Sequence, residues 1–266
     1  MNNDYIVSLI KNDKRVDERK LDEYREIKIT HDVSKNAEGS ARCKIGDTEV
    51  IAGVKMAIGT PYPDSPDEGV IIVTVELTPI ASPVFELGPP SEWATELARV
   101  VDRGIRESKA IDFKKLCIKE KEKVWMIFLD IYPMNDDGNL IDASVLAALA
   151  ALKTARMPKL EDDAIVYGEF TNEKLKLNKL PVTITLGKID DKIIVDPDSK
   201  EESVLDARLS ISVYDGNIHA MQKGGSDGIT IEEIDKMIDI AIKKEKELRS
   251  VLKWIQMFSQ STKKQE

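Results

Sequence analysis

Residues 142–156 constrain the fold more than any other stretch of this sequence. After Asp142 the chain runs Ala-Ser-Val-Leu-Ala-Ala-Leu-Ala-Ala-Leu, strong helix formers that are small or apolar on every side. A helix without a polar face is predicted to lie buried against a sheet. The rest of the chain must supply that sheet, and its patterning does. Residues 26–30 alternate as a strand with one buried face. Residues 40–45 and 48–57 flank Gly46-Asp47, a hairpin turn. Residues 70–77 are β-branched and almost wholly apolar, which predicts a central strand covered on both faces. Residues 116–119 and 123–132 read as a strand pair around a charged turn. Strands at 181–189 and 192–195 flank Asp190-Asp191, and strands at 207–214 and 217–222 flank Asp215-Gly216, a strong hairpin signal.

Two amphipathic helices complete the pattern. Ser91 caps a helix running to about Lys109, with Trp93, Leu97, Val100, Val101, Gly104 and Ile105 on one side. Thr230-Ile-Glu-Glu233 matches a capping box and opens a helix reaching about Phe258. Its apolar positions 231, 234, 238, 241, 248, 252 and 255 have coiled-coil spacing, and packing on the chain's own sheet is favoured over a coiled coil. Ile6, Val7, Leu9 and Ile10 predict a short docking helix within an N-terminal segment, residues 1–20; residues 259–266 form a polar tail. Both halves place strands before a helix, which points to an internal duplication. No linker separates them, so the expectation is one α+β domain over residues 1–266, with mixed sheets packed by helices.

Charge and special residues narrow the function. A net charge of −9 argues against a surface made wholly for nucleic acid, so any RNA or DNA contact must come from a local cationic patch. Cys43 and Cys117 form no CxxC pair, and His31 and His219 stand alone, so no metal site or cofactor is expected. No apolar run reaches the roughly 18 residues of a membrane span, and residues 1–11 lack a signal-peptide layout. A cytoplasmic location is the expectation. Asp136 and Asp137 beside Gly138, and Asp196, Asp198, Glu201, Glu202 and Asp206 in a short stretch, are candidates for Mg²⁺ binding or acid–base work, although such clusters are common in the loops of any acidic chain. No Walker loop, GxSxG elbow or dinucleotide fingerprint is present.

Three of the ten arginines, Arg99, Arg103 and Arg106, share one helix and fall within roughly 60° of each other, opposite Leu97, Val101 and Ile105. Such a row can hold phosphates and follow a single-stranded backbone. The competing expectation is helix-surface pairing: Glu96 with Arg99, Asp102 with Arg106, and Glu107 with Arg103.

Several motifs in order resemble the RNase PH family of phosphate-dependent 3′-to-5′ exoribonucleases. They are Arg15-Val-Asp-Glu-Arg19, Glu38-Gly-Ser-Ala41, Gly46-Asp-Thr-Glu-Val50, Glu96-Leu-Ala-Arg-Val-Val-Asp-Arg103, the Asp137-Gly138 turn, and the acidic segment from Asp196 to Asp206. The resemblance spans about Arg15 to Leu252 and implies an RNase PH-like fold. It also implies what should be present for catalysis: a Gly-Gly-Thr-Arg turn cradling phosphate, and two aspartates six residues apart that assist through a metal or as an acid. Here Leu140 and Ile141 stand at the threonine and arginine positions, Glu202 at the first aspartate, and Arg208 at the second. The arginine expected in the loop before the helix is missing from residues 81–92.

The segments 86–90, 99–103 and 138–143 are most similar to the non-catalytic RNase PH-like subunits of the archaeal exosome. That resemblance implies no catalytic residue, and a partnership with an active RNase PH-like sibling in a hexameric ring of three heterodimers. It further implies exosome cap proteins and RNA as partners, with Arg99, Arg103 and Arg106 as RNA contacts and Arg103 foremost. Two alternatives are an active exoribonuclease using Asp136, Asp137 and Glu202, and a protein–protein module with no RNA role.

Overall fold

The computed structural model describes residues 3–161 and 164–253. Its centre is the helix expected at 142–156, observed as α3 (Leu140–Thr154), in which every residue from Leu140 to Leu152 is buried. One face of α3 packs on the first sheet and another meets the second. The first sheet has the order β1-β2-β3-β6-β4, formed by β1 (Ile27–His31), β2 (Gly39–Ile45), β3 (Thr48–Gly59), β4 (Val70–Val75) and β6 (Lys123–Asn135), with the short β5 (Cys117–Lys119) paired to β6. The predicted turn at Gly46-Asp47 joins β2 to β3 in antiparallel register, Ile45 opposite Thr48. Alanines let α3 sit close: a Cβ on Gly39 of β2 would lie 2.3 Å from the Ala151 carbonyl oxygen.

β4 is not the central strand its composition suggests. It pairs in parallel with β6 and ends the sheet, its apolar face covered by α2 (Glu92–Glu107) while Thr74 is exposed. Apolarity here reflects a helix cover on one side and not enclosure between neighbours. α2 begins as predicted: the Ser91 hydroxyl accepts the Ala94 N–H at 3.1 Å, and Leu97, Val101 and Ile105 are buried.

Patterning did not reveal one further element. β7 (Arg156–Glu161) and β8 (Ala164–Lys174) form a separate two-stranded sheet. The second main sheet is wholly antiparallel, in the order β10-β9-β11-β12, from β9 (Val182–Ile189), β10 (Lys192–Val195), β11 (Ala207–Tyr214) and β12 (Asn217–Gly224). Asp215 and Gly216 both take positive φ, 52° and 73°, as the tight β11–β12 turn requires. The two sheets differ in strand number and order, so the repeated grammar extends only to strands followed by a helix.

α5 (Ile231–Lys253) carries the predicted capping box: Thr230 Oγ1 accepts the Glu233 N–H at 3.2 Å, and Glu233 accepts the Thr230 N–H at 2.8 Å. The helix packs on β9 and β11 of its own sheet, through Met237, Ala241, Leu248 and Leu252. Ile231 is 75% exposed, and Met237 and the buried Glu245 take places on the packed face that the stripe did not include. Position 255, the helix end at 258 and the tail 259–266 lie outside the described residues. A single large apolar cluster draws on both main sheets, α2, α3 and α5. The N-terminal α1 (Asn3–Lys11) docks as expected, burying Ile6 and Ile10 against Ile189 and Ile194 in a small second cluster.

Candidate nucleic-acid interface

The turn leading into α3 is a dense polar knot. Thr48 Oγ1, from the start of β3, donates to the Gly138 carbonyl at 2.6 Å and accepts the Asp137 N–H at 3.2 Å. Arg25, just before β1, donates to the Asp137 carbonyl at 2.6 Å and to both carboxylate oxygens of Asp196, at 2.8 and 2.9 Å. Gly138 has φ +80°, and a Cβ there would lie 2.5 Å from the Asp198 carbonyl carbon, so the turn and the acidic segment touch backbone to backbone. Asn139 follows in the left-handed region, φ 55° and ψ 42°, and caps α3 while its side-chain amide donates to Asp196 at 2.7 Å and to Asp142 at 3.0 Å.

Asp142, wholly buried, collects four donors: the Tyr24 hydroxyl at 2.7 Å, the Thr185 hydroxyl at 2.7 Å, the Thr185 N–H at 3.0 Å and the Asn139 amide. Burial pushes its carboxyl up to about 6, against those donors, which favour the charged form.

Where a phosphate cradle would need free donors, this turn has already committed the Gly138 and Asn139 N–H groups. Leu140 and Ile141 are buried apolar side chains, 2% and 1% exposed. The Asn139 N–H is already taken by Glu202 Oε1 at 2.8 Å. Burial pushes the Glu202 carboxyl up to about 7, with the neighbouring Asp136 charge adding to the rise. Asp137 points elsewhere, accepting from the Ser199 hydroxyl at 2.6 Å and pairing with Arg25. The three carboxylates of the alternative enzyme reading therefore do not converge: Asp136 and Glu202 line one pocket, and Asp137 does not.

The remaining acidic residues also serve the fold. Asp196 binds Arg19 and Arg25, Asp198 caps the short α4 (Ser199–Glu202), Glu201 holds the buried Arg15, and Asp206 accepts the Asp190 N–H. Among the described residues no three His, Cys, Asp or Glu side chains are arranged to hold a metal ion. The family's paired-carboxylate place holds Glu202 beside Arg208, and a guanidinium in that spot does not fit a cation.

The arginine row is not uniform. Arg99 is exposed, and among the described residues it makes no hydrogen bond or ion pair. Arg106 pairs with Asp102 at 2.9 Å, as the helix-surface reading expects, and lies over the Phe113 ring at 5.6 Å. Arg103 is only half-buried and leans on β12, donating to Gln222 Oε1 at 2.6 Å. Glu96 does not pair with Arg99. It accepts from Gln222 at 3.0 Å and from Arg208 at 2.7 Å, and the Arg208 guanidinium lies 4.8 Å above the Trp93 ring. Arg25, Thr48 and Gln222 are functional neighbours that sequence reasoning missed, since each meets the site only through contacts more than 80 residues away.

The family models settle the affiliation. Residues 23–158 match domain 1 of the 3′ exoribonuclease family (RNase PH), and residues 179–244 match its domain 2. The chain belongs to the RNase PH family. The boundary between the two matches falls between the six-stranded and four-stranded sheets. Among RNase PH relatives, the exosome complex component Rrp42 of Methanosarcina mazei is 51% identical over 249 residues, covering 93% of this chain and 92% of that protein. Rrp42 of Archaeoglobus fulgidus is 48% identical, covering 95% and 96%. A solved structure described as the Archaeoglobus fulgidus exosome with RNA bound to the active site superposes with a TM-score of 0.88 at 48% identity, covering 93% of this chain and 96% of that one. An archaeal exosome core matches at 0.85 and 44% identity, covering 94% and 96%. The RNase PH-like α+β architecture expected from the motifs is the one observed.

Proposed function

We propose that this chain is a non-catalytic, RNA-binding subunit of an archaeal-type exosome, inactive alone and paired with an active RNase PH-like sibling that degrades RNA 3′-to-5′ by phosphorolysis. The observation that carries this reading is the Asn139 N–H: in the turn where the family cradles phosphate, Glu202 already holds that donor, and buried Leu140 and Ile141 replace the hydroxyl and guanidinium. Likeness to archaeal Rrp42 proteins over more than nine-tenths of the chain supports membership of the exosome. A ring of three heterodimers, cap proteins, a cytoplasmic setting and folding as one unit over residues 1–266 belong to the same reading. No helix among the described residues is long and apolar enough to cross a membrane.

RNA contact is assigned to Arg99, Arg103 and Arg106. Arg99 is the open cation of the three, and Arg103 is held in place by Gln222. Two measurements test the proposal. Incubated with poly(A), phosphate and Mg²⁺, the purified chain should release no nucleoside diphosphate until an active RNase PH-like subunit is added; robust release by the chain alone overturns it. In the assembled complex, Arg103→Glu should weaken RNA binding and flatten its salt dependence by about one unit of log–log slope or more, whereas unchanged affinity would favour a protein–protein module without an RNA role.

A further inference from the structure

Beside the α3 turn lies a pocket of about 240 Å³ whose chemistry the non-catalytic reading leaves without a role. Its walls are Trp93, Leu140, Leu205 and Arg208, and its polar floor is Asp136 and Glu202. Each carboxyl has one oxygen engaged, Asp136 Oδ1 by the Gly138 N–H at 3.1 Å and Glu202 Oε1 by the Asn139 N–H. Among the described residues neither second oxygen has a hydrogen-bond partner, neither is closed off from solvent, and both side chains line the pocket. Arg208 Nε is buried without a partner, while its Nη2 is fixed by Glu96 and its plane lies over Trp93.

An inorganic anion does not suit two open carboxyls, and a metal ion does not suit the guanidinium beside them. A flat, neutral, donor-bearing ring suits all of it: amino hydrogens for the carboxyl oxygens, apolar walls for its faces, and an arginine plane for stacking. The volume is that of one such ring with room for its substituents.

We propose that this pocket takes the amino-bearing base of a nucleotide, adenine, guanine or cytosine, and discriminates against uracil. An exocyclic amino group has two hydrogens, one for each carboxyl, whereas uracil has a single N3–H between two carbonyl oxygens and would set a carbonyl against a carboxyl. The inference rests on the RNA-binding reading for its source of base. The same Glu96 that fixes Arg208 joins through Gln222 to Arg103, so a strand whose backbone lies on the arginine row has the pocket within one hydrogen-bonded chain of it.

The test uses the full chain at pH 8, above the raised Glu202 value so that both carboxyls accept, titrated with adenosine, guanosine, cytidine and uridine, followed by tryptophan fluorescence, with inorganic phosphate as a control. Saturable binding of the three amino-bearing nucleosides, with uridine at least tenfold weaker, is the expected result. Asp136→Asn, and Glu202→Gln (which keeps an acceptor for the Asn139 N–H), should each cut that discrimination several-fold. Leu205→Trp, which fills the pocket and leaves both carboxyls in place, should abolish binding in a chain whose thermal melt shows it folded. Equal binding of all four nucleosides, or none, overturns the proposal.

In the assembled complex, oligo(A) held more tightly than oligo(U), with the gap removed by Leu205→Trp, places the base on RNA. A gap seen only with nucleosides assigns the pocket to a free nucleoside. Arg103→Glu weakens both oligomers alike if the backbone reading holds, so loss of that effect with discrimination intact would fault the backbone reading alone.

Discussion

Asp142 concentrates four hydrogen-bond donors from three separate parts of the chain on one carboxyl that has no contact with solvent. Replacing it with alanine strands those donors in the interior, at about 1–3 kcal/mol for each group left unmet, so Asp142→Ala should lower the unfolding free energy by about 3 kcal/mol or more. Urea titration of the two proteins measures this directly. Glu202 carries a different signature. Its carboxyl is raised from 4.5 to about 7 in the fold, so the folded chain keeps a proton that the unfolded chain releases. Stability is therefore fully retained below about pH 4.5 and falls as pH rises through 7, by at most about 1.4 kcal/mol per unit. Glu202→Gln removes this contribution, so its melting temperature should rise relative to the parent between pH 5 and 7; parallel profiles would show that the carboxyl is not held neutral. Neither residue's role is visible in sequence. The DGN turn and the acidic segment are legible as motifs, but their mutual saturation depends on Arg25, Thr48 and Tyr24, which no local spacing connects to them.

The elements were legible where one period dominates. α3 is apolar on all sides and α2 and α5 carry caps, so all three begin within two residues of where the pattern places them. β7 and β8 were not legible, because Arg, Lys and Glu break up the first strand, Glu, Asn and Lys the second, and Pro158 interrupts β7. β4 was misplaced because an apolar run cannot distinguish cover by strands from cover by a helix. The close seating of α3 yields a paired prediction. Leu149→Ala should cost about 2–5 kcal/mol by opening a cavity. Ala147→Leu, on the same wholly buried helix, should cost about 1–3 kcal/mol by overpacking. Equilibrium denaturation of both variants checks that the helix is enclosed on opposite sides.

For the whole molecule, the N-terminal segment ties the halves together. Arg15 is fully buried, its Nε donating to Glu201 at 2.8 Å and its other nitrogens to the Val195 and Asp196 carbonyls. Removing one partner of such a pair leaves the other charge buried, so Arg15→Ala should destabilise by about 3–5 kcal/mol. Limited proteolysis should then cut within residues 1–25 well before the rest of the chain. The parent protein, treated alike, should resist.

Arg15, Arg19 and Arg25 each also bind a carboxylate at Asp196 or Glu201, more than 170 positions later in the chain. A ribosome must therefore deliver residue 201 before Arg15, Arg19 and Arg25 find all their partners. Until then Arg15 waits without its counterion, Arg19 has only Asp17 and Arg25 only Asp137, and β1 has its neighbour β2 but not the clasp that fixes the turn ahead of α3. Locking of this chain is thus a late event of synthesis, and chains released before residue 201 are expected to carry an unfastened amino end.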